Sequence, residues 1–453
     1  MSWSKFIAKV VPGHSQKQKQ KPVKEPAVAA EPGPAYVFKF HIGLLDDVED
    51  RELYRPGGFH PVKIGDKFNS DRYKILHKLG YGGFATVWLA RDLQSQSNVA
   101  LKITTADVAE NRSELGIFEF ISKQHFSQPD VPGGDHIPKV LDHFWLDGPN
   151  GRHSCLVLPA LGPSAQQVMK TSETKRLKGQ TARSVSLQAA QTLGYLHSIG
   201  LGHGDFRPAN LLFAVDEFSQ WSEETVKQRL GDIIEEPVMY RDGKVPEDEA
   251  IPPTVISPTD YTALIPGFLQ KFVYLVDFGE AFRLDAPPDR RLGTPASYCA
   301  PECHFDHAAS AQTDIWALAC TIFEIRAGYP IFETFMGDYE DEVASQIVTT
   351  LGKMPERWWT KWTLRDAFFD DDGKPNQEGM VGRVTLEQAL QEIGTDDEEA
   401  ESVRELPGVL CEGEVHDLAD LLGQMLKYEP DERIDIQTVL QHRWFTTEYT
   451  DTR

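Results

Sequence analysis

The sequence predicts an α+β protein of two lobes, a small β-rich one followed by a larger helical one. Three observations predict it. From Tyr73 to about Val157, short β-like runs dominate, interrupted by one helical stretch around Ala109 to Gln124. From Ser164 onward helical spacing takes over, at Ser184–Ser198, Thr313–Ala327, Asp341–Leu351 and Val415–Leu426. The length, 453 residues, suits two tightly joined lobes as well as about three ordinary domains.

Composition narrows the class. At 40% hydrophobic and 25% charged residues the chain is ordinary for a globular protein, which excludes a wholly disordered chain, a collagen and a coiled coil. No run approaches the roughly 20 apolar residues that cross a bilayer, so no transmembrane segment is expected. The five cysteines, Cys155, Cys299, Cys303, Cys320 and Cys411, form no C-x-x-C pair. That argues against a disulfide scaffold or a zinc ribbon and for a reducing compartment. The net charge of −23, from 69 acids against 46 bases, is the opposite of a duplex-DNA binder's balance. It suits a solvated acidic surface or a basic partner.

Along the chain, residues 1–35 read as a disordered basic leader, with six lysines and no acid up to Lys24. Trp3, Phe6, Ile7, Val10 and Val11 stand at helical spacing, so Ser2 to Val11 would form a short amphipathic helix. A mitochondrial presequence or membrane-surface helix stands beside the plainer reading of a flexible tail, and the lack of arginine weighs against a presequence. Residues 36–72 are expected to be an extension packing on the small lobe, 73–161 the small lobe and 162–453 the large one. Two insertions interrupt the latter, near 215–271 and 360–405. They carry the acidic clusters Glu247–Glu249, Asp370–Asp372 and Asp396–Glu399, and loops of this length are often functional or disordered.

Four elements carry chemistry. The first is Leu79-Gly80-Tyr81-Gly82-Gly83-Phe84-Ala85-Thr86-Val87, glycines between two β-like runs, where backbone N–H groups can approach phosphate oxygens. A dinucleotide-binding fold needs a helix immediately afterwards, and here the strand-like run continues through Leu89 and Ala90. The second is Lys102 in Val99-Ala100-Leu101-Lys102-Ile103, an ammonium in an apolar strand that requires a partner. Glu114 is the candidate, with Glu110 and Glu119 as rivals. The third is His203-Gly204-Asp205-Phe206-Arg207-Pro208-Ala209-Asn210, which places a carboxylate and an amide in one compact loop. The fourth is Asp277-Phe278-Gly279 after an apolar run. Oxygen ligands from two loops suit Mg²⁺ bridging phosphates.

In this order the four elements resemble the protein-kinase set. Gly293-Thr294-Pro295-Ala296-Ser297-Tyr298-Cys299-Ala300-Pro301-Glu302 resembles the kinase activation segment, Asp314-Ile315-Trp316 the opening of the helix that anchors the catalytic loop, and Arg433 the late arginine that pairs with Glu302. Tyr54 to Asp66, Leu79 to Leu89 and Leu351 to Pro355 resemble the SR-protein kinases in particular, and the insertion between Asn210 and Asp277, 67 positions apart, sits where that family carries its spacer. The resemblance implies a bilobal kinase fold and Ser/Thr protein kinase activity with ATP and Mg²⁺. Asp205 would be the base, Asn210 and Asp277 the metal ligands, and Lys102, held by Glu114, the phosphate-positioning residue. Arg207 would offset charge on the transferring group. Leu79 to Val87 and Ala100 would meet the nucleotide, with Ala160 and Leu161 in the hinge and Leu158 as gatekeeper. Protein substrates, Arg/Ser-rich and basic, are expected, with no direct nucleic acid, a monomeric state, and residence in cytoplasm and nucleus.

The chain departs from the family at several points. Gly204 replaces the arginine before the base, which removes the positive pocket that reads a phosphorylated activation segment. Arg207 stands for a lysine, Ala85 for the third glycine, and Gly293–Tyr298 is the generic kinase form. Asp341 and Glu342 stand where the family's docking groove has acids, but Thr349 stands where another is expected. The alternative reading is a pseudokinase acting as a nucleotide-binding scaffold.

Overall fold

The computed structural model describes residues 38–111, 114–127, 131–172, 174–262, 264–265, 267–334, 340–376, 385–394 and 410–449. The expected leader helix and the Asp396–Glu399 cluster lie outside the described residues.

A six-stranded antiparallel sheet, in the order β1-β2-β3-β4-β6-β5, forms the small lobe. Its strands are β1 (Lys67–Phe68), β2 (Tyr73–Tyr81), β3 (Ala85–Asp92), β4 (Ser97–Thr104), β5 (Asp142–Gly148) and β6 (Gly151–Pro159). Between β4 and β5 come α1 (Ala106–Asn111) and α2 (Glu114–Ser127). The helical stretch expected around Ala109 to Gln124 spans parts of both. Strand alternation sorts β4: Val99, Leu101 and Ile103 join Tyr73, Ile75, Trp88, Cys155 and Val157 in one core. Ala100 and Lys102 face the other way.

The large lobe holds α3 (Ala165–Thr171), α4 (Gly179–Ser198), β7 (Leu201–Gly202), β8 (Leu211–Val215), α5 (Glu223–Leu230), β9 (Glu235–Pro237), β10 (Thr254–Ile256), β11 (Leu269–Leu275) and β12 (Phe282–Arg283). Then come α6 (Pro301–Asp306), α7 (Ala311–Ala327), α8 (Glu340–Leu351), α9 (Glu356–Trp359), α10 (Leu386–Gln391), α11 (Glu412–Met425) and α12 (Ile436–Leu440). Short antiparallel ladders join β8 to β11 and β7 to β12, and β7 and β8 flank the 203–210 loop. Helix α7 is buried from Thr313 to Ala327, and its buried charges are paired: Asp314 with the His203 N–H, Glu324 with the Tyr298 hydroxyl and Arg326 with Glu414. Ser310 caps its start, and Gly328 ends it at φ +89°, where a Cβ would lie 2.4 Å from the Lys175 carbonyl.

The stretch near 215–271 is a folded cap on the small lobe, as well as an insertion in the sequence. Phe218, Trp221, Val226, Leu230, Tyr261 and Leu264 pack with Leu89. Ile256 enters the small-lobe core, and Val238, Ile251 and Val255 pack with Phe40, Tyr54 and Phe59 of the N-terminal extension. Buried Asn98 on β4 donates to the carbonyls of Phe218 (3.0 Å) and Trp221 (2.9 Å). Truncating Trp221 to alanine should therefore cost about 3–5 kcal/mol, read as a lower denaturation midpoint. A change under about 1 kcal/mol would mean that the cap adds nothing to the core.

The extension also carries a pH response. His60 and His153 are buried with ring centroids 5.0 Å apart, and each has a ring nitrogen without a partner. Burial, then the neighbouring His153, lowers the His60 pKa to about 3. The unfolded chain, with a value near 6.5, binds the proton that the folded one refuses. Stability from this group is complete above about pH 6.5 and falls as pH drops towards 3. Denaturation at about pH 5.5 rather than neutral pH should show a loss of about 1.4 kcal/mol that disappears in His60→Leu. An identical pH dependence in both proteins would remove His60 as the cause.

Candidate active site

The glycine hairpin is the turn between β2 and β3, closed by Gly82 N–H donating to Ala85 O at 2.8 Å. A Cβ placed on Gly80, Gly82 or Gly83 would meet nothing within 4 Å, so the backbone borders open space of the kind phosphates would fill. Leu79 packs in the same cluster as Leu89 and Ala160, joining the start of the hairpin to the segment after β6. Phe84 stands exposed at the tip.

Register sorts the remaining predicted contacts. Val87 lies opposite Lys102, and Leu158 opposite Ala100. Directly paired residues share a face, so Val87, Ala100, Lys102 and Leu158 line one side of the sheet, with Ala85 on the same parity. Thr86 does not join them. Its hydroxyl accepts from Trp88 Nε1 at 2.9 Å inside the small-lobe core, and only its backbone faces the hairpin. A nucleotide would therefore meet Thr86 through its backbone rather than its side chain. The physical reason is the two-residue period of a strand: Thr86 and Val87 cannot both face the site. Leu161 is buried, and Gly162 N–H donates to Phe213 O at 2.9 Å, tying the hinge to β8.

Lys102 Nζ sits between two carboxylates, 2.7 Å from Glu114 Oε2 and 2.8 Å from Asp277 Oδ1. Glu114, on α2, is turned inward and 9% exposed, whereas its rival Glu119 is exposed. Burial works against the ammonium, but Asp277 and then Glu114 outweigh it and raise the Lys102 pKa. Lys102 in turn lowers the pKa of Asp277 to about 2. Glu114 also accepts from the N–H of Phe278 at 2.9 Å, so strand, helix and Asp-Phe-Gly segment meet at one carboxylate. Asp277 itself has φ +65°, a conformation unusual for a residue with a side chain and held here by these bonds.

The catalytic loop is fixed from beneath. Asp314, 1% exposed at the start of α7, accepts from the N–H groups of His203 (2.8 Å) and Gly204 (2.9 Å). The rings of Phe118, Phe278, His203 and Phe206 meet edge to face in sequence, with centroids 5.0, 5.2 and 5.7 Å apart, joining α2 to the loop. Asp205 accepts from Arg207 Nε at 3.1 Å on both oxygens and from Asn210 Nδ2 at 2.9 Å. Burial raises its pKa, against the pull of Arg207 and His203. The Asn210 amide nitrogen also donates to Asp205 O at 2.7 Å, which spends both its hydrogens and leaves its oxygen as the ligand atom. That oxygen and the Asp277 carboxylate are hard donors, the set that suits Mg²⁺ completed by phosphates and water.

Gly204 has φ +76°, and a Cβ there would lie 2.6 Å from Glu280 O. Glu280 was not singled out from the sequence. It accepts from Arg290 at 2.6 Å and from Gly293 N–H at 3.1 Å, tethering the activation segment from within. The Thr294 hydroxyl donates to Gly204 O, and the Tyr298 hydroxyl donates to buried Glu324 of α7. Arg433 meets Glu302 through two bonds, at 2.6 and 2.7 Å. On α8, Asp341 accepts from Trp362 Nε1 at 2.7 Å, and Thr349 is buried with its hydroxyl on Ser345 O. Position 349 therefore faces the core, so an acid there would not line an open groove.

Comparison with known proteins agrees with this geometry. The protein kinase domain family matches residues 73–227 and 265–445. The chain is 28% identical over 415 residues to serine/threonine-protein kinase SRPK of Physarum polycephalum, covering 88% of this chain and 92% of that one. It is 34% identical over 182 residues to serine/threonine-protein kinase SKY1 of Saccharomyces cerevisiae, covering 39% of this chain and 24% of that one. With SRSF protein kinase 3 of Homo sapiens the identity is 35% over 180 residues, covering 39% of this chain and 32% of that one.

Proposed function

The chain belongs to the protein kinase family, and from that premise we propose that it is an SR-protein-kinase-like Ser/Thr kinase that phosphorylates hydroxyls in basic, Arg/Ser-rich proteins. The observation that carries the activity is Lys102 held between Glu114 and Asp277 at 2.7 and 2.8 Å, beside the Asp205–Asn210 loop. Substrate chemistry rests on the similarity to SR-protein kinases and on the net charge of −23.

In this reading Mg²⁺ would neutralise charge on the phosphates from Asn210 and Asp277. Lys102 fixes the phosphates by charge, and the open backbone of the glycine hairpin covers them. Asp205 orients the acceptor hydroxyl and takes its proton. Arg207, already bonded to Asp205, presents a cation beside the transferring group. Little covalent chemistry falls to the protein, so positioning and preset electrostatics supply most of the rate. The scaffold alternative has no support in the site, where lysine, base and both ligands are in place.

The test is transfer of labelled γ-phosphate with Mg²⁺ to an Arg-Ser repeat peptide beside a generic basic protein. Preference for the repeat is expected. Labelling of the generic protein alone would overturn the substrate class, and nucleotide binding without transfer would favour the scaffold. The exposed Glu247–Glu249 and Asp370–Asp372 clusters should steer the basic peptide. Raising salt from about 0.1 M to about 1 M shortens the screening length from about 10 Å to about 3 Å and should raise the peptide KM steeply. A salt-independent KM would remove the steering.

A further inference from the structure

We propose that Asp47, in the extension before the small lobe, is a positioning residue that holds the glycine hairpin over the nucleotide by gripping the Tyr81 hydroxyl. The inference rests on the kinase reading above and adds a means by which a segment outside the kinase domain match acts on its site.

Tyr81 lies between Gly80 and Gly82, where a Cβ on either glycine would meet nothing within 4 Å. Its hydroxyl donates to Asp47 Oδ1 at 3.0 Å. The ring is held from a second side, with Lys78 Nζ 5.2 Å from its centroid. Lys78 is wholly buried and ion-paired to Glu49, and donates to Ile256 O at 2.9 Å. The Tyr54 hydroxyl donates to the other oxygen of Glu49. Thr259 places both its N–H (2.9 Å) and its hydroxyl (2.8 Å) on Lys78 O. The extension and the 215–271 cap therefore clamp β2 one residue before Leu79.

This gives Asp47 leverage. Two residues from Glu49, which is 2% exposed, it is a surface carboxylate on an anchored backbone. Burial and then the Asp47 bond push the Tyr81 phenol up to about 12, so at neutral pH it keeps the proton it donates. A hairpin of glycines has little stiffness, and its residence over the phosphates depends on what its one large hydrogen-bonding side chain is tied to. The tie runs to a segment that is not itself part of the nucleotide site, so its loss should change nucleotide affinity without altering the phosphoryl-transfer groups.

The experiment uses the full chain and a fluorescent ADP analogue, read by direct titration in Asp47→Asn, Tyr81→Phe and the double variant. Asp47→Asn takes the charge out of this charge-assisted hydrogen bond and Tyr81→Phe removes its donor, so each should raise the nucleotide Kd about three- to tenfold. The double variant should be no weaker than Tyr81→Phe alone, because both changes act on the same bond. In the phosphorylation assay, Asp47→Asn should raise the KM for ATP while kcat and melting temperature stay as in wild type. Wild-type affinity in both single variants, or effects that add in the double, would overturn the inference. So would weakened binding accompanied by a drop in melting temperature, since that marks general destabilisation. Failure of the wild-type chain to bind the analogue would overturn the kinase reading and this inference with it.

Discussion

Asparagine in place of Asp205 is expected to lower kcat by about 10²- to 10⁴-fold while nucleotide still binds. The substitution keeps shape and hydrogen-bonding capacity, so the loop has little reason to move: its backbone hangs on Asp314, and Asn210 also holds the Asp205 carbonyl. The change removes the oxygen that accepts the proton and the charge opposite Arg207, 3.1 Å away. The loss corresponds to about 3–5 kcal/mol of transition-state stabilisation. The same carboxylate sets a pH limit. Burial is the main cause of its raised pKa, so the acid limb of kcat/KM should lie above the ordinary aspartate value of about 4. Single-turnover phosphorylation over a pH series reads both effects. An asparagine variant as fast as wild type would take Asp205 out of the proton transfer.

The chemistry-bearing residues were legible because each is a conflict at the level of sequence. Lys102 is a charge in an apolar strand, and Asp205 and Asn210 are polar residues crowded into one loop. For the partner of Lys102, apolar spacing pointed to Glu114 over its rivals Glu110 and Glu119. In the structure Glu114 pairs with Lys102 at 2.7 Å. Thr86 shows the opposite case: a run of adjacent hairpin residues was read as one site, although a strand turns neighbours to opposite faces. Lys78 carried the same signal as Lys102, an ammonium in an apolar strand, yet its partner Glu49 lies 29 residues upstream in a segment with no pattern of its own. The 215–271 cap was illegible for a similar reason. Trp221, Val226, Val238, Ile251 and Ile256 have no common period, and only contact with a surface that other segments build decides that they are buried.

Methionine at Arg433 should cost about 3–5 kcal/mol of stability, the cost of breaking a buried ion pair from one side. The Arg433 side chain is 0% exposed and that of Glu302 5%. Besides its two bonds to Glu302, Arg433 donates to the carbonyls of Lys427 (2.8 Å), Gln312 (2.8 Å) and Tyr428 (3.2 Å). Methionine fills much of the volume but satisfies none of these groups and strands the Glu302 carboxylate among apolar neighbours. Glu302 opens α6 just beyond Tyr298, so activity should fall with stability as the end of the activation segment loosens. A drop in melting temperature of roughly 10 °C is the direct readout. The pairing of Glu302→Leu with Arg433→Met separates charge from packing. If the stranded carboxylate causes most of the loss, removing it as well should recover more than half of the stability, because buried ion pairs replaced whole by apolar groups are often near neutral. A double variant no more stable than Arg433→Met would place the cost in the three carbonyls and the packing around Trp316, whose ring centroid lies 5.1 Å from the guanidinium.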